Sequence, residues 1–402
     1  MSPSSSSVSL CQSQVSCLPS TRYLLGVEYA GARFHGFQRQ PQEKPSGEHI
    51  RTVQGTLESA LSLFAGCPVS VLSSSRTDSG VHATENICGC DITRLPRKKR
   101  KEQADKNSAA SAATADEPAP PPPPPPHAGS TVRDAVNHYL RRHGNDDIRV
   151  TACIPTHPEW HPRFSALGRV YRYVLCEGGA GGVSIFQRGT CWSLGSKTAS
   201  SPLNVDAMRD AAAKFLGEYD FTSFRANGCQ AASPVRTVTT CSVDTFAVDD
   251  PGAGGLSPFA VHPYLLRPTS AALEAEIQAR TTSSLTPEDE ERAAKIPRTP
   301  SSNGSPGSRF VVVTVGSPGF LYHQVRLLVG ALVLVGTGKI TPEGIAQLLT
   351  SPVPPWEQSP NLMAAMAPAH GLFLCSVEYD IASVLYGKPR ESIAQRTTSM
   401  HD

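Results

Sequence analysis

The chain of 402 residues is 39% hydrophobic and 18% charged, a composition that excludes collagen-like and wholly disordered classes and suits roughly two domains at about 150 residues each. Its 37 Lys and Arg stand against 35 Asp and Glu, so the net charge of +2 permits a nucleic-acid partner through a local basic face without demanding one. The longest apolar run, residues 327–336, is shorter than the ~20 residues that span a bilayer, which speaks against a membrane partner.

Residues 1–21 are rich in Ser and hold neither acid nor base, so they lack the charged start of a secretory signal. The missing acids suit an organelle transit segment and the missing arginines do not, which leaves mitochondrion, cytoplasm and nucleus all open. Eleven cysteines without a Cys-x-x-Cys pair point to a reducing compartment, and Cys88 and Cys90 read as packing rather than metal ligands.

Residues 23–29 predict a strand. Val53, Leu57, Ala60, Leu61 and Phe64 share one helical face after Thr52, and residues 69–72 predict a second strand followed by a loop over 75–82. A stretch from about 97 to 130, with a basic run, an Ala/Ser tract and seven consecutive prolines, cannot build a core and predicts a disordered insert. Thr131, followed three residues later by Asp134, predicts a helix start with Val132, Ala135, Val136, Tyr139 and Leu140 inward. Ile148, Val150, Ala152 and Ile154 alternate as a strand should.

The same vocabulary returns beyond residue 165. A strand is predicted over 169–175, a helix over 205–216 between Asn204 and Gly217, and strands near 236–243 and 309–315. Between the last two lies a second disordered insert, about 249–308, with one short helix near 271–280. A long helix over 321–335, another opened by Thr341 and Pro342, and a strand over 372–379 complete the chain. The order predicts an α+β fold of two similar halves with antiparallel sheets, because helices do not intervene between every strand pair. The expected divisions are an N-terminal segment 1–21, halves over 22–160 and 161–384, and a tail 385–402.

Chemistry concentrates in three places. The loop Ser75, Arg76, Thr77, Asp78, Ser79, Gly80, Val81, His82 presents an arginine and a carboxylate together. The helix over 321–335 is apolar on nearly every side yet carries Arg326, and a buried guanidinium is costly unless a carboxylate meets it. Asp78 is the candidate partner; held ionised in a cleft it suits a nucleophile or base rather than a general acid. In Arg169, Val170, Tyr171, Arg172, Tyr173, alternation sets both tyrosines on one face and Arg172 on the other. An aromatic face beside an Arg/Asp loop is core packing or a surface on which a flipped base stacks. Arg163, just upstream, adds a basic residue at the strand entrance.

These segments resemble the TruA-type tRNA pseudouridine synthases. The resemblance rests on Tyr29, Gly31, Phe34, Gly36, Phe37, Gln38, Arg39 and Gln40; on Arg76, Thr77, Asp78, Gly80, Val81 and His82; and on Tyr171, Arg172 and Tyr173. It continues through Gly217, Asp220, Phe221, Thr222, Ser223, Phe224 and Arg225, then residues 320–326, then Ala367, Pro368, His370, Gly371, Leu372, Phe373 and Leu374, in order from about 23 to 379. The last group, with residues 136–141, is most similar to the synthase-like branch of animals, which is associated with mitochondria.

The resemblance implies two α/β halves, each an antiparallel sheet flanked by helices, facing across a basic cleft, commonly in a homodimer. It implies uridine-to-pseudouridine isomerisation in the anticodon stem-loop of tRNA with neither cofactor nor metal. Asp78 matches the catalytic aspartate, Arg76 the arginine that helps extrude the target nucleotide, and Tyr171 the base-stacking tyrosine. Arg326 matches the arginine that pairs with the aspartate, and Leu372 an apolar residue of the uracil pocket; Arg163 and Arg172 join the expected RNA-binding set. Ser75, Ser79 and Leu327 stand where Gly, Ala and Asn are usual, and none of these departures removes a charge. Two other readings remain: a non-catalytic RNA-binding protein or tRNA chaperone of the same fold, and a hydrolase pairing Asp78 with His82 or His323.

Overall fold

The computed structural model describes residues 19–40, 50–94, 125–177, 187–195, 202–247, 309–354, 357 and 366–387. The predicted second insert, with its helix near 271–280, lies outside them, as does the first insert up to residue 124. Residues 125–128 are docked: Arg94 donates to the Pro125 carbonyl, Tyr23 Oη donates to the His127 carbonyl at 2.7 Å, and the His127 ring lies 5.0 Å from that of Phe64.

Strands β1 (Ser20–Tyr29), β2 (Val71–Ser73), β3 (His82–Thr93) and β4 (Ile148–Pro155) belong to the first half. Strands β5 (Ala166–Glu177), β6 (Trp192–Ser193), β9 (Thr240–Ala247), β10 (Arg309–Ser317) and β11 (Leu372–Tyr379) belong to the second, with β7 (Gly217–Asp220) and β8 (Val235–Val238) forming a separate ribbon. The helices are α1 (Val53–Ala65), α2 (Gly129–Arg142), α3 (Val205–Lys214), α4 (Gln324–Gly336), α5 (Pro342–Thr350) and α6 (Ile381–Tyr386).

Nine strands make one sheet in the order β4-β1-β3-β11-β5-β10-β9, with β2 on β3 and β6 on β5. Each half is antiparallel within this path. The halves join where β11 runs parallel to β3, through Phe373 opposite His82 and Leu374 opposite Ala83, while its other edge pairs antiparallel with β5. One apolar core gathers α1 and α2 against β1, β3 and β4; a second gathers α3, α4 and α5 against β5 and β10. Tyr171 packs against both.

Local chemistry explains the element ends. Thr52 caps α1 by accepting from Gly55 N, Asn204 caps α3 from Ala207 N, and Thr341 caps α5 from Gly344 N. Several bounds differ from expectation. Helix α2 begins at Gly129, behind an extended Ala128 with no side-chain cap, because the docked 125–128 segment delivers the chain there; Thr131 sits inside the first turn. Helix α3 ends at Lys214, and Gly217 starts β7 instead of closing the helix. The strand expected near 236–243 is two, broken at Thr239, whose N–H turns to the Gly316 carbonyl.

Strand β3 was not anticipated at all. It is buried on both faces, so no alternation marks it, and it carries Glu85 and Asn86 fully buried at its centre. Cys88 and Cys90 lie buried on it.

Candidate active site

Strand β2 delivers the chain to residues 74–81, and β3 carries it away beside the seam between the halves. Asn86 on β3 fixes the start of this loop: its amide donates to the Ser75 carbonyl at 3.0 Å and to Tyr29 Oη at 3.1 Å, and its oxygen accepts from Ser74 Oγ at 2.8 Å. Tyr29 Oη in turn shares a 2.7 Å hydrogen bond with Thr77 Oγ1. The segment after β1 supports the loop from below. Phe37 N donates to the Thr77 carbonyl, and the Phe34 carbonyl accepts from Gly80 N and Ser79 Oγ. Two glycines make this approach possible: a Cβ on Gly31 would stand 1.9 Å from the Val81 oxygen, and Gly36, at φ +86°, lies under the Thr77 carbonyl.

The loop points Asp78 into a cleft of about 860 Å³. Among the described residues lining it are five arginines, Arg76, Arg163, Arg169, Arg236 and Arg326, and one carboxylate, Asp78. Asp78 Oδ2 lies 3.2 Å from His323 Nε2 and 3.8 Å from Arg326 Nη1. The guanidinium expected to need a carboxylate is thus partly satisfied elsewhere, since its Nε donates to the Ala367 carbonyl at 2.7 Å. Arg169 ties three walls together through the carbonyls of Pro318, Ser74 and Arg163.

Tyr171 and Leu372 form the apolar side of the cleft. The Tyr171 ring meets Phe320 edge-on at 5.3 Å, and burial pushes its phenol up to about 12 against the opposing influence of Ser75 and Arg169. Tyr173 lies deeper, its hydroxyl donating to the Pro368 carbonyl and its ring filling the space where a side chain at Gly371 would stand.

Of the expected site residues, Asp78, Arg76, Tyr171, Arg326, Leu372 and Arg163 all line this cleft. Arg172 does not. Strand alternation turns it to the other sheet face, opposite Phe373 of β11 and Thr314 of β10.

Two neighbours of Arg326 carry more than their sequence pattern announces. Helix α4 starts at Gln324 rather than at 321, because Gln324 Oε1 accepts from Leu321 N at 2.7 Å and His323 adopts a left-handed conformation at φ 59°. That turn swings His323 to Asp78, with its ring stacked on Tyr322. Of the two histidines that the sequence offers for Asp78, His82 and His323, this is the one that meets it. Gln324 is 1% exposed and lines the cleft, and its Nε2 has no hydrogen-bond partner among the described residues. His82, by contrast, is spent on structure: its Nδ1 accepts from Gly31 N, Nε2 meets the Gly189 carbonyl, and the ring stacks on Phe373 at 4.6 Å.

A family model described as tRNA pseudouridine synthase matches residues 211–380. The chain is 29% identical over 360 residues to tRNA pseudouridine synthase A of Roseobacter denitrificans, covering 89% of this chain and 95% of that relative. To tRNA pseudouridine synthase A of Shewanella amazonensis it is 28% identical over 372 residues, covering 92% and 97%. With the enzyme of the same name from Orientia tsutsugamushi it shares 29% identity over 364 residues, 89% of this chain and 99% of that one.

Proposed function

We propose that this chain, which belongs to the TruA-type tRNA pseudouridine synthase family and isomerises uridine in tRNA to pseudouridine, acts in the anticodon stem-loop with Asp78 as its reacting carboxylate. The observation that carries this reading is one carboxylate in a cleft lined by five arginines, set against a partly buried tyrosine at the junction of two cores.

The reaction breaks the N1–C1′ bond, turns the uracil, and joins C5 to C1′; the C5 proton leaves and N1 gains one, so no atom is added overall. One carboxylate serves either route, by adding to the intermediate or by assisting proton abstraction at the sugar. His323 and Arg326 fix its orientation from one side. Tyr171 and Leu372 offer the apolar wall that keeps a detached base from escaping, and Gln324 Nε2, which lacks a partner among the described residues, offers a donor to a uracil carbonyl. Extruding a nucleotide costs a few kcal/mol, least where it is already unpaired, which favours a loop or its margin as the target. The arginines supply phosphate contacts, which dominate affinity for nucleic acids.

The test is pseudouridine mapping on unmodified tRNA transcripts with the full chain and its Asp78→Asn variant. Wild type should form pseudouridine in the anticodon stem-loop, and Asp78→Asn should form none while binding tRNA and melting as wild type does. Wild-type turnover by the variant would remove Asp78 from the chemistry. A wild type that binds but never turns over would favour the non-catalytic RNA-binding reading.

A further inference from the structure

At 69% exposure, Phe164 is the most exposed of the large apolar side chains among the described residues, and it stands at the edge of the active-site cleft between Arg163 and the strand that carries Tyr171. A single exposed aromatic is ordinary on a protein surface. This one is held out by a built loop. His161 Nδ1 accepts from the backbone N–H of both Arg163 and Phe164, at 3.1 and 3.3 Å. Ser165 N donates to the His161 carbonyl, Ser165 Oγ accepts from His161 N, and Arg169 grips the Arg163 carbonyl at 3.0 Å. Burial and the charges of Arg22 and Arg163 push the His161 imidazole down from its ordinary value, which keeps Nδ1 free to accept. The two rings lie 4.4 Å apart, so one face of Phe164 is fixed against His161 and the remainder is presented outward.

We infer that Phe164 is a stacking platform for an unpaired nucleobase of the tRNA adjacent to the uridine drawn into the cleft. The inference rests on the reading of the cleft as a tRNA site. A benzene ring has no hydrogen-bonding group, so it accepts any base, as suits a contact that holds the strand rather than reads it. Arg163 and Arg76, both exposed beside it on the cleft wall, are placed for the phosphates that flank such a base. Fixing the loop in advance lowers the ordering cost of the contact.

Binding of unmodified tRNA transcript by the full chain, with Phe164→Ala and Phe164→Trp beside wild type over a salt series, tests this. Phe164→Ala should weaken affinity by roughly 5- to 150-fold, the equivalent of about 1–3 kcal/mol per stacked base. Its salt dependence and melting temperature should match wild type, because no phosphate contact and no core contact is lost. Phe164→Trp should keep affinity and add an indole emission that tRNA quenches. Equal affinity of Phe164→Ala and wild type, a flattened salt dependence in Phe164→Ala, or an unquenched indole in Phe164→Trp would each overturn the platform. Failure of the wild type to bind tRNA would instead sink the reading on which it rests, whereas pseudouridine formation with an indifferent Phe164 sinks only the platform.

Discussion

At Tyr171 the ring and the hydroxyl have separable roles; the phenol is neutral at pH 7 even at its ordinary value of about 10, and burial pushes it further up to about 12. In the proposed reaction the ring covers the base whether or not the hydroxyl is present. The hydroxyl, close to Ser75 and Asp78, is placed to relay the C5 proton only if it passes its own onward. Tyr171→Phe should therefore keep tRNA affinity within about twofold and lower single-turnover rate by at least ~10²-fold, the lower end of general acid–base effects. A rate equal to wild type in that assay would leave the tyrosine as a wall alone. At this scale the sequence was most readable where chemistry forced a pairing: a guanidinium inside an apolar helix needed an acid, and Asp78 does approach it at 3.8 Å. The sequence offered both His82 and His323 as histidines for Asp78 and could not choose between them, because the 3.2 Å contact of His323 depends on a left-handed residue just before the helix, a conformation that a histidine adopts only occasionally.

Among elements, the loop that carries Asp78 is positioned less by its own residues than by the turn after β1. The spacing of Gly31, Phe34, Gly36 and Phe37 becomes intelligible here, as a cradle whose carbonyls and N–H groups hold residues 77–80. Gly31→Ala puts a methyl group 1.9 Å from the Val81 oxygen, so the loop must shift. Overpacking of this kind costs about 1–3 kcal/mol, and displacement of a reacting group by ~1 Å costs about 10²-fold in rate. The variant should thus melt lower and lose about 10²-fold in kcat/KM, whereas Gly189→Ala, with nothing within 4 Å of its added methyl, should change neither. Activity at wild-type level in Gly31→Ala, measured alongside its thermal melt, would mean that the cradle does not position the loop. Of the helices capped by a side chain, α1, α3 and α5 begin where the sequence predicts, while α6, capped by Asp380 accepting from Ala382 N, lies where no helix is predicted; α2 and α4, whose starts are set by the docking of His127 and by the hydrogen bond between Leu321 N and Gln324 Oε1, begin elsewhere. Strand β3 is illegible for a different physical reason: a strand buried on both faces carries no period-two signal.

Across the whole molecule, two antiparallel halves become one sheet through β11, and the consequence is an interior dense in phenols and thiols. Burial pushes Tyr23 and Tyr171 from 10.0 to about 12, and Cys90, Cys241 and Cys375 from 9.0 to about 12. Tyr29, Tyr173, Tyr379 and Cys88 are raised in the same direction by the same cause. All of these groups are held neutral by the fold and ionise earlier in the unfolded chain. Their contribution to stability is therefore intact below pH 9, declines as the unfolded chain begins to release protons between pH 9 and 10, and is lost as pH rises through about 12. Each group removes about 1.4 kcal/mol per pH unit across that window. Five or more acting together match a domain's typical stability of ~5–15 kcal/mol within one or two pH units. Alkaline unfolding followed by circular dichroism should accordingly be cooperative, with its midpoint between pH 10 and 12. Retention of native ellipticity beyond pH 12 would mean that water reaches these side chains in the folded state and that the two cores are not sealed where β11 joins them.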